Sequence, residues 1–367
     1  GQALSVPTPR TTSSLQWYDP FGGAIEGKGW IETAKPTDRL PARAETTVRT
    51  PVWELSRCSS GMFVRFDSDA REITARWTLD QPMRSIEHMP ATGIAGLDLY
   101  ARDNGTWRWV GLARPKNELQ NEERILVGIP SGMHEYLMYL PLYSGVESIQ
   151  IGVNEDASIT PGAASNGFGT GKPLVFYGTS ITQGASASRP GMAYPAILGR
   201  RLNRTAINLG FASNGTMDLE LAELMGEVDA AAYVIDCVPN MTVEMVRTRS
   251  VPFVALLRER RPEVPIVIVE CIDQQNAWFL PGIDEGIVLR NEALRSAFET
   301  MEDRGFNRLV YVEGSRLLGN ATDTAVDGIH PSDLGNTHIA DALEPILVHA
   351  LTELKANDSN VEEEFAP

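Results

Sequence analysis

The run Leu174-Val-Phe-Tyr-Gly-Thr-Ser-Ile-Thr-Gln-Gly184 constrains this chain more than any other stretch, because four apolar residues lead straight into a glycine, two hydroxyl residues and, shortly after, a second glycine. An uninterrupted apolar run of this length fits a strand covered on both faces, as in a parallel sheet between layers of helices. Such a strand delivers the residues just past its carboxyl end to the edge where open α/β sheets bind ligands. Ser180 stands at that place. A serine hydroxyl is a weak nucleophile until a base takes its proton, so the chain should also hold a histidine with an orienting carboxylate. Of the five histidines, His330 alone has an aspartate three residues before it, in Asp327-Gly-Ile-His330-Pro331.

From Leu174 onward, strands are expected near 174–177, 205–209, 232–237, 265–270 and 308–312, with helices between them and a closing helix from 333 to about 354. Alternation of this kind predicts an α/β fold with a five-stranded parallel sheet flanked by helices. The first 165 residues read differently. Short apolar runs at 62–66, 72–79, 96–100, 106–110, 135–140 and 146–152 are separated by turn signals such as Asp103-Asn-Gly105. They predict an all-β sandwich or jelly-roll. A connector rich in Gly, Ser and Pro, residues 156–173, places the boundary near 165. The expected organisation is therefore a β domain over 1–165, an α/β domain over 166–355 and an acidic flexible tail over 356–367.

Most of the net charge of -16 lies beyond residue 165. A surface of that sign repels polyanions, so nucleic acid is not an expected partner. No apolar run approaches the ~20 residues of a membrane-spanning helix. Cys58, Cys237 and Cys271 are too few and too scattered for a disulfide framework or a metal site. The acidic residues Asp236, Glu270 and Asp273 lack a histidine pair, so neither a metal nor another cofactor is expected.

Four blocks, Tyr177-Gly-Thr-Ser-Ile-Thr-Gln-Gly184, Asn208-Leu-Gly-Phe-Ala-Ser-Asn-Gly215, Asp236-Cys-Val-Pro-Asn240 and Asp327-Gly-Ile-His-Pro331, resemble in order the blocks of the SGNH (GDSL-type) hydrolases. Gly96-Leu-Asp-Leu-Tyr100 resembles the GxDLY motif of a small β domain found ahead of such hydrolases in some bacterial proteins. The resemblance implies a flavodoxin-like SGNH domain, with Ser180 as nucleophile, His330 as base and Asp327 as the carboxylate that orients it. It also implies an oxyanion hole built from the backbone N–H groups of Ser180 and Ser213 and the Asn240 amide, one such donor being worth about 3 kcal/mol. The dipole of a helix behind Ser180 is expected to add to it. The chain departs from the family pattern at Thr179, where an aspartate is usual, and at Ser213, which aligns with the second-block glycine.

Outside those blocks, Asn208 and Asn214 read as turn formers and His338 as a packed or capping residue, while nothing pairs His88, His134 or His349 with a carboxylate at ligand spacing. Six of seven tryptophans lie in the β-rich half and read as aromatic packing. The seventh, Trp278, follows the fourth strand of the sheet and is either a wall or sugar platform at the site or a side chain packed under its own loop. The expected function is a serine esterase acting on short-chain, acetyl-type esters of a carbohydrate or similar small molecule. Two alternatives stay open: a lipase- or thioesterase-like hydrolase of longer acyl esters, and a carbohydrate-binding protein whose hydrolase-like domain is not catalytic.

Overall fold

A computed structural model describes residues 14–162 and 171–364, with side chains as far as residue 352. The first part contains ten strands: β1 (Leu15–Tyr18), β2 (Ile25–Glu26), β3 (Phe63–Ser68), β4 (Glu72–Leu79), β5 (Leu97–Asp103), β6 (Thr106–Ala113), β7 (Gln120–Val127), β8 (His134–Tyr139), β9 (Val146–Asn154) and β10 (Ile159–Pro161). They form two antiparallel sheets, one ordered β1-β9-β4-β7 and the other β10-β3-β8-β5-β6, with β2 also beside β3. Trp77, Ile149 and Ile151 from the first sheet share one core with Phe66, Leu99 and Met138 from the second, which makes the pair a sandwich. The Asp103-Asn-Gly105 signal is a two-residue hairpin turn: Asn104 and Gly105 both have positive φ and Asp103 pairs with Thr106.

β7 carries no hydrophobic alternation in sequence, and its inward residues explain why. Asn121 and Glu123 are buried but polar, Asn121 accepting from the Lys116 and Asn117 N–H groups and Glu123 pairing with Arg114 and Lys116. An edge strand whose inward positions are satisfied by hydrogen bonds does not announce itself as apolar. Two short helices, α1 (Thr50–Ser56) and α2 (Ala91–Ala95), also lie in this half.

The second part alternates strands β11 (Leu174–Gly178), β12 (Ala206–Gly210), β13 (Ala232–Asp236), β14 (Ile266–Val269) and β15 (Leu309–Val312) with helices α3 (Ser180–Gln183), α4 (Tyr194–Arg201), α5 (Leu219–Glu227), α6 (Val243–Arg260), α7 (Pro281–Asp303) and α8 (Asp333–Glu364). All five strands are parallel in the order β12-β11-β13-β14-β15. The order reverses at β11, which opens a crevice at that strand's carboxyl end. Within β11, Val175 and Tyr177 pack towards α5, α6 and α7, while Leu174 and Phe176 pack towards α4 and α8. α8 runs ten residues beyond its expected end, since no glycine or proline interrupts the chain before Pro367. The expected tail is therefore helical backbone as far as Glu364, its last three residues lying outside the described residues, as do residues 163–170 of the connector.

Two exchanges tie the halves together. Trp30, Leu40, Val48, Val52 and Trp53, early in the chain, are buried in the core beneath the parallel sheet. In return Ala185, Ala187 and Ala193, from the loop after α3, sink into the sandwich core. The Gly96–Tyr100 motif fastens this loop. Asp98, fully buried, accepts from Arg189 (2.9 and 3.1 Å), the Gly191 N–H (2.8 Å) and the Trp109 indole (3.0 Å), and the Tyr100 hydroxyl accepts from Arg189 at 2.6 Å.

Candidate active site

Ser180 opens the single turn of α3 directly after β11. Thr179, in place of the usual aspartate, caps it by accepting from the Ile181 N–H at 3.2 Å, and Gly184 at φ +112° ends it in a conformation that other residues rarely adopt. The helix dipole expected behind Ser180 is thus confined to four residues. The sandwich supports this turn from the other side: Tyr143 donates to the Ser180 carbonyl (3.3 Å) and Gln183 donates to the Leu142 carbonyl (3.3 Å).

His330 reaches the same point from the loop before α8. Its Nε2 lies 2.9 Å from Ser180 Oγ and its Nδ1 lies 2.7 Å from Asp327 Oδ2. Asp327 Oδ1 accepts from the backbone N–H groups of Ile329 (3.0 Å) and His330 (2.8 Å), so the short Asp-Gly-Ile-His span folds onto its own carboxylate. Partial burial works to raise the Asp327 pKa, but the hydrogen bonds from His330 and Ile329 outweigh it and hold the carboxyl at about 2. A carboxylate placed this way selects the tautomer with the proton on Nδ1 and leaves the Nε2 lone pair facing Ser180.

The second block meets the end of β11, where the Phe211 N–H donates to the Gly178 carbonyl at 3.0 Å, and the third block is tied to the second. Among the described residues, neither the Ser180 nor the Ser213 backbone N–H donates to a protein acceptor. Asn240 accepts the Gly215 N–H on its Oδ1 at 3.2 Å, which commits the amide oxygen and turns the NH₂ group away from that bond. Ser213 adopts φ +60°, a left-handed conformation that explains why a glycine is at home at this position. Gly215 is needed for space: a Cβ there would lie 2.1 Å from the Gly178 carbonyl oxygen, at the end of β11.

Several residues have roles that their sequence context did not signal. Asn208 is no turn former; it is buried within β12, where its amide donates to the Thr182 carbonyl (2.8 Å) and accepts from Gly210 N–H (2.9 Å), tying α3 to the neighbouring strand. Asn214 does sit in a turn, donating to the Ala212 carbonyl at 2.9 Å. His88, in the β-rich half, stacks on His330 with ring centroids 4.2 Å apart and planes 1° from parallel. Trp278 is 85% exposed, its ring 5.3 Å from that of Phe279. Its loop is laced to the histidine loop by Gln275, whose N–H donates to the Gly328 carbonyl (2.9 Å) and whose side chain bonds Thr324 and Ala325. Of the other six tryptophans, Trp30, Trp53, Trp77 and Trp107 are buried, while the half-exposed Trp109 is engaged by Asp98 and lies under the Arg189 guanidinium.

His88, Asp327 and His330 present nitrogen and oxygen atoms within 4.8 Å of one another, and this donor set does not suit a metal ion. Both nitrogens of His330 are already engaged, and the in-plane lone pairs of two parallel rings do not converge on one point.

Comparison with known proteins gives the family and the fold. The model of the GDSL-like lipase/acylhydrolase family matches residues 171–348, and the model of the GxDLY N-terminus of SGNH-hydrolase-type esterases matches residues 15–159. A Bacteroides ovatus protein whose crystal structure is described as that of a GDSL-like lipase superposes with a TM-score of 0.87 at 31% identity, over 92% of this chain and 98% of that one. The salicylyl-acyltransferase SsfX3 of a tetracycline biosynthetic pathway superposes with a TM-score of 0.69 at 19% identity, over 89% and 95%. A family two carbohydrate esterase from Cellvibrio japonicus does so with a TM-score of 0.58 at 15% identity, over 94% and 100%. The last two likenesses are of fold alone. No protein with a curated description matches the chain.

Proposed function

Because the chain belongs to the GDSL-like lipase/acylhydrolase family, we propose that it is a serine esterase that removes short acyl groups, acetyl foremost, from a neutral carbohydrate or similar small alcohol. The observation that carries this reading is the unbroken line of hydrogen bonds from Ser180 through His330 to Asp327. Ser180 Oγ attacks the ester carbonyl carbon while His330 Nε2 takes its proton, and Asp327 stabilises the imidazolium that forms. The carbonyl π electrons move onto oxygen, where the N–H groups of Ser180 and Ser213 and the Asn240 amide receive the charge. Collapse of the tetrahedral species expels the alcohol, which takes the proton from His330. Water then releases the acyl group from Ser180 by the same steps, with His330 again the base.

The leaving alcohol must sit where Nε2 can protonate it, so the surface flanking His330 is its side of the site. An open depression of about 560 Å³ lies there, where the polar side chains of Glu87, His88, Ser186, Ser188 and Asp333 alternate with the apolar ones of Met89, Pro90, Val326 and Leu334. A lining of this mixed kind suits a sugar alcohol, whose ring offers both hydroxyls and apolar C–H faces. Trp278 is then a platform for a sugar ring, and Trp278→Ala is expected to raise KM on a sugar acetate more than on an aryl acetate. A longer acyl chain is the second reading, favoured by the exposed apolar side chains of Trp278, Phe279, Val326 and Ile329 on the loops beside the relay.

Hydrolysis of p-nitrophenyl esters from acetate to octanoate tests both. Acetate is expected to be cleaved fastest, and Ser180→Ala to lower turnover by more than ~10³-fold with the fold intact. A preference for octanoate would replace the first reading with the second, and retention of more than a few per cent of turnover in Ser180→Ala would remove Ser180 as nucleophile.

A further inference from the structure

The β-rich half reaches the relay through the imidazole of His88, and two hydrogen bonds fix that ring. The Ser186 hydroxyl lies 2.8 Å from the His88 carbonyl oxygen and 2.9 Å from His88 Nδ1. A carbonyl only accepts, and a serine hydroxyl has one proton to give, so Ser186 Oγ donates to the carbonyl and accepts from Nδ1–H. The neutral ring is thereby held as the Nδ1–H tautomer in a set plane. Ser186 is itself fixed: it is buried, holds φ +66°, and belongs to the loop that Asp98 fastens through Arg189 and Gly191. Burial, and then the charge of His330, pull the His88 pKa below the usual histidine value, against weaker opposite pulls from Asp327 and Glu87. Burial and the neighbouring His330 thus both work against a charge on His88.

We propose that His88 is a positioning residue for His330, a fixed aromatic floor that keeps the base's ring in line between Ser180 and Asp327 and whose π face stabilises the imidazolium formed during acyl transfer. The proposal rests on the reading of His330 as general base. His88 exchanges no proton and touches no reacting atom; it acts through the ring it supports. A flat ring meeting another at 1° and 4.2 Å is well placed for this, because an imidazolium is attracted to an aromatic face within about 6 Å. It also accounts for the fastening of the Ser186 loop by a motif lying in a different part of the fold.

Steady-state hydrolysis of p-nitrophenyl acetate by the full chain tests it. His88→Ala is expected to lower kcat about tenfold while KM stays within about twofold. His88→Phe, which keeps the face and loses both nitrogens, should recover kcat to within about threefold of wild type. Ser186→Ala, which frees the ring without removing it, should lie between them, and decides the matter with His88→Phe if His88→Ala does not fold. Wild-type kcat in His88→Ala, or a loss that His88→Phe does not restore, overturns the proposal. Ser180→Ala run alongside separates the two levels: an active Ser180→Ala sinks the esterase mechanism itself, whereas an inactive one beside a fully active His88→Ala sinks only the stacking role.

Discussion

Asp98→Ala is the sharpest test of how the two halves are joined. The Asp98 carboxylate is fully buried and accepts four hydrogen bonds, two from Arg189, one from the Gly191 N–H and one from the Trp109 indole. Removing it leaves an indole N–H and a backbone N–H without their acceptor, and a guanidinium, largely shielded from solvent, without its counter-charge and with the Tyr100 hydroxyl as its remaining acceptor. Breaking a buried pair by deleting one partner costs about 3–5 kcal/mol, because the surviving charge keeps its desolvation penalty. Unfolding entropy of about 2.1 cal/mol/K per residue gives roughly 0.8 kcal/mol/K for a chain of this length, so Tm should fall by about 4–6 °C. Asp98→Asn keeps the shape and one acceptor oxygen and should lose about half as much. Differential scanning calorimetry at pH 7 reads both values. A Tm for Asp98→Ala within 1 °C of wild type would refute the argument that this carboxylate fastens the halves.

Asn240→Ala should lower kcat on an aryl acetate by ~10²–10³ with little change in KM, because the amide acts on charge that exists only in the transition state; an equal rise in KM would place it in ground-state binding instead. Ser213→Gly should be stabilising in urea melts, since the left-handed conformation costs a non-glycine residue about 1–2 kcal/mol and only part of that returns as glycine's unfolded-state entropy; a lower midpoint would show that the serine side chain is worth more than the strain. Asp327, whose folded pKa of about 2 lies below the unfolded value of about 3.9, contributes stability that is complete above the unfolded pKa and is lost as pH falls through about 2. The melting difference between wild type and Asp327→Asn should hold steady from pH 7 to 5 and close towards pH 2; a difference that closes already at pH 5 would contradict the depressed pKa.

The strands of the parallel sheet were legible in the sequence because β11 to β14 are buried throughout and the edge strand β15 is half-buried, so an apolar run carries the signal in each; expected and observed bounds for β11 to β15 differ by one residue or less at each end. The same physics hid β7, where Asn121 and Glu123 occupy inward positions through hydrogen bonds and ion pairs. In the site, the Asp327–His330 pair was readable because a three-residue span is a local fact. His88 and Asn208 were not, since their meaning lies in long-range contacts: a ring stacked from the other half, and a strand side chain bonded to the Thr182 carbonyl. Arg39 belongs with them. It is buried, and its guanidinium donates to the Asn208 and Gly210 carbonyls, ending β12 from a segment that sequence alone assigns to the β half.

That exchange of core residues predicts that residues 171–367 do not fold alone, even though a family model matches the α/β part by itself. Without the preceding segment, the face of the parallel sheet that Trp30, Leu40, Val48, Val52 and Trp53 cover is open to water. At about 1.5–3 kcal/mol for each large apolar side chain, the lost burial is roughly 10 kcal/mol, as large as the entire stability of an ordinary domain. Arg39 and the Arg49 bonds to Asn214 and Asp218, which hold the loop carrying Ser213, go with it. Expressed alone, the fragment should be insoluble or bind a hydrophobic dye without a cooperative melt, and it should not cleave aryl acetates. A soluble fragment with a sharp thermal transition would show that the sheet closes its own core, and the reading of residues 30–53 as part of that core would fall.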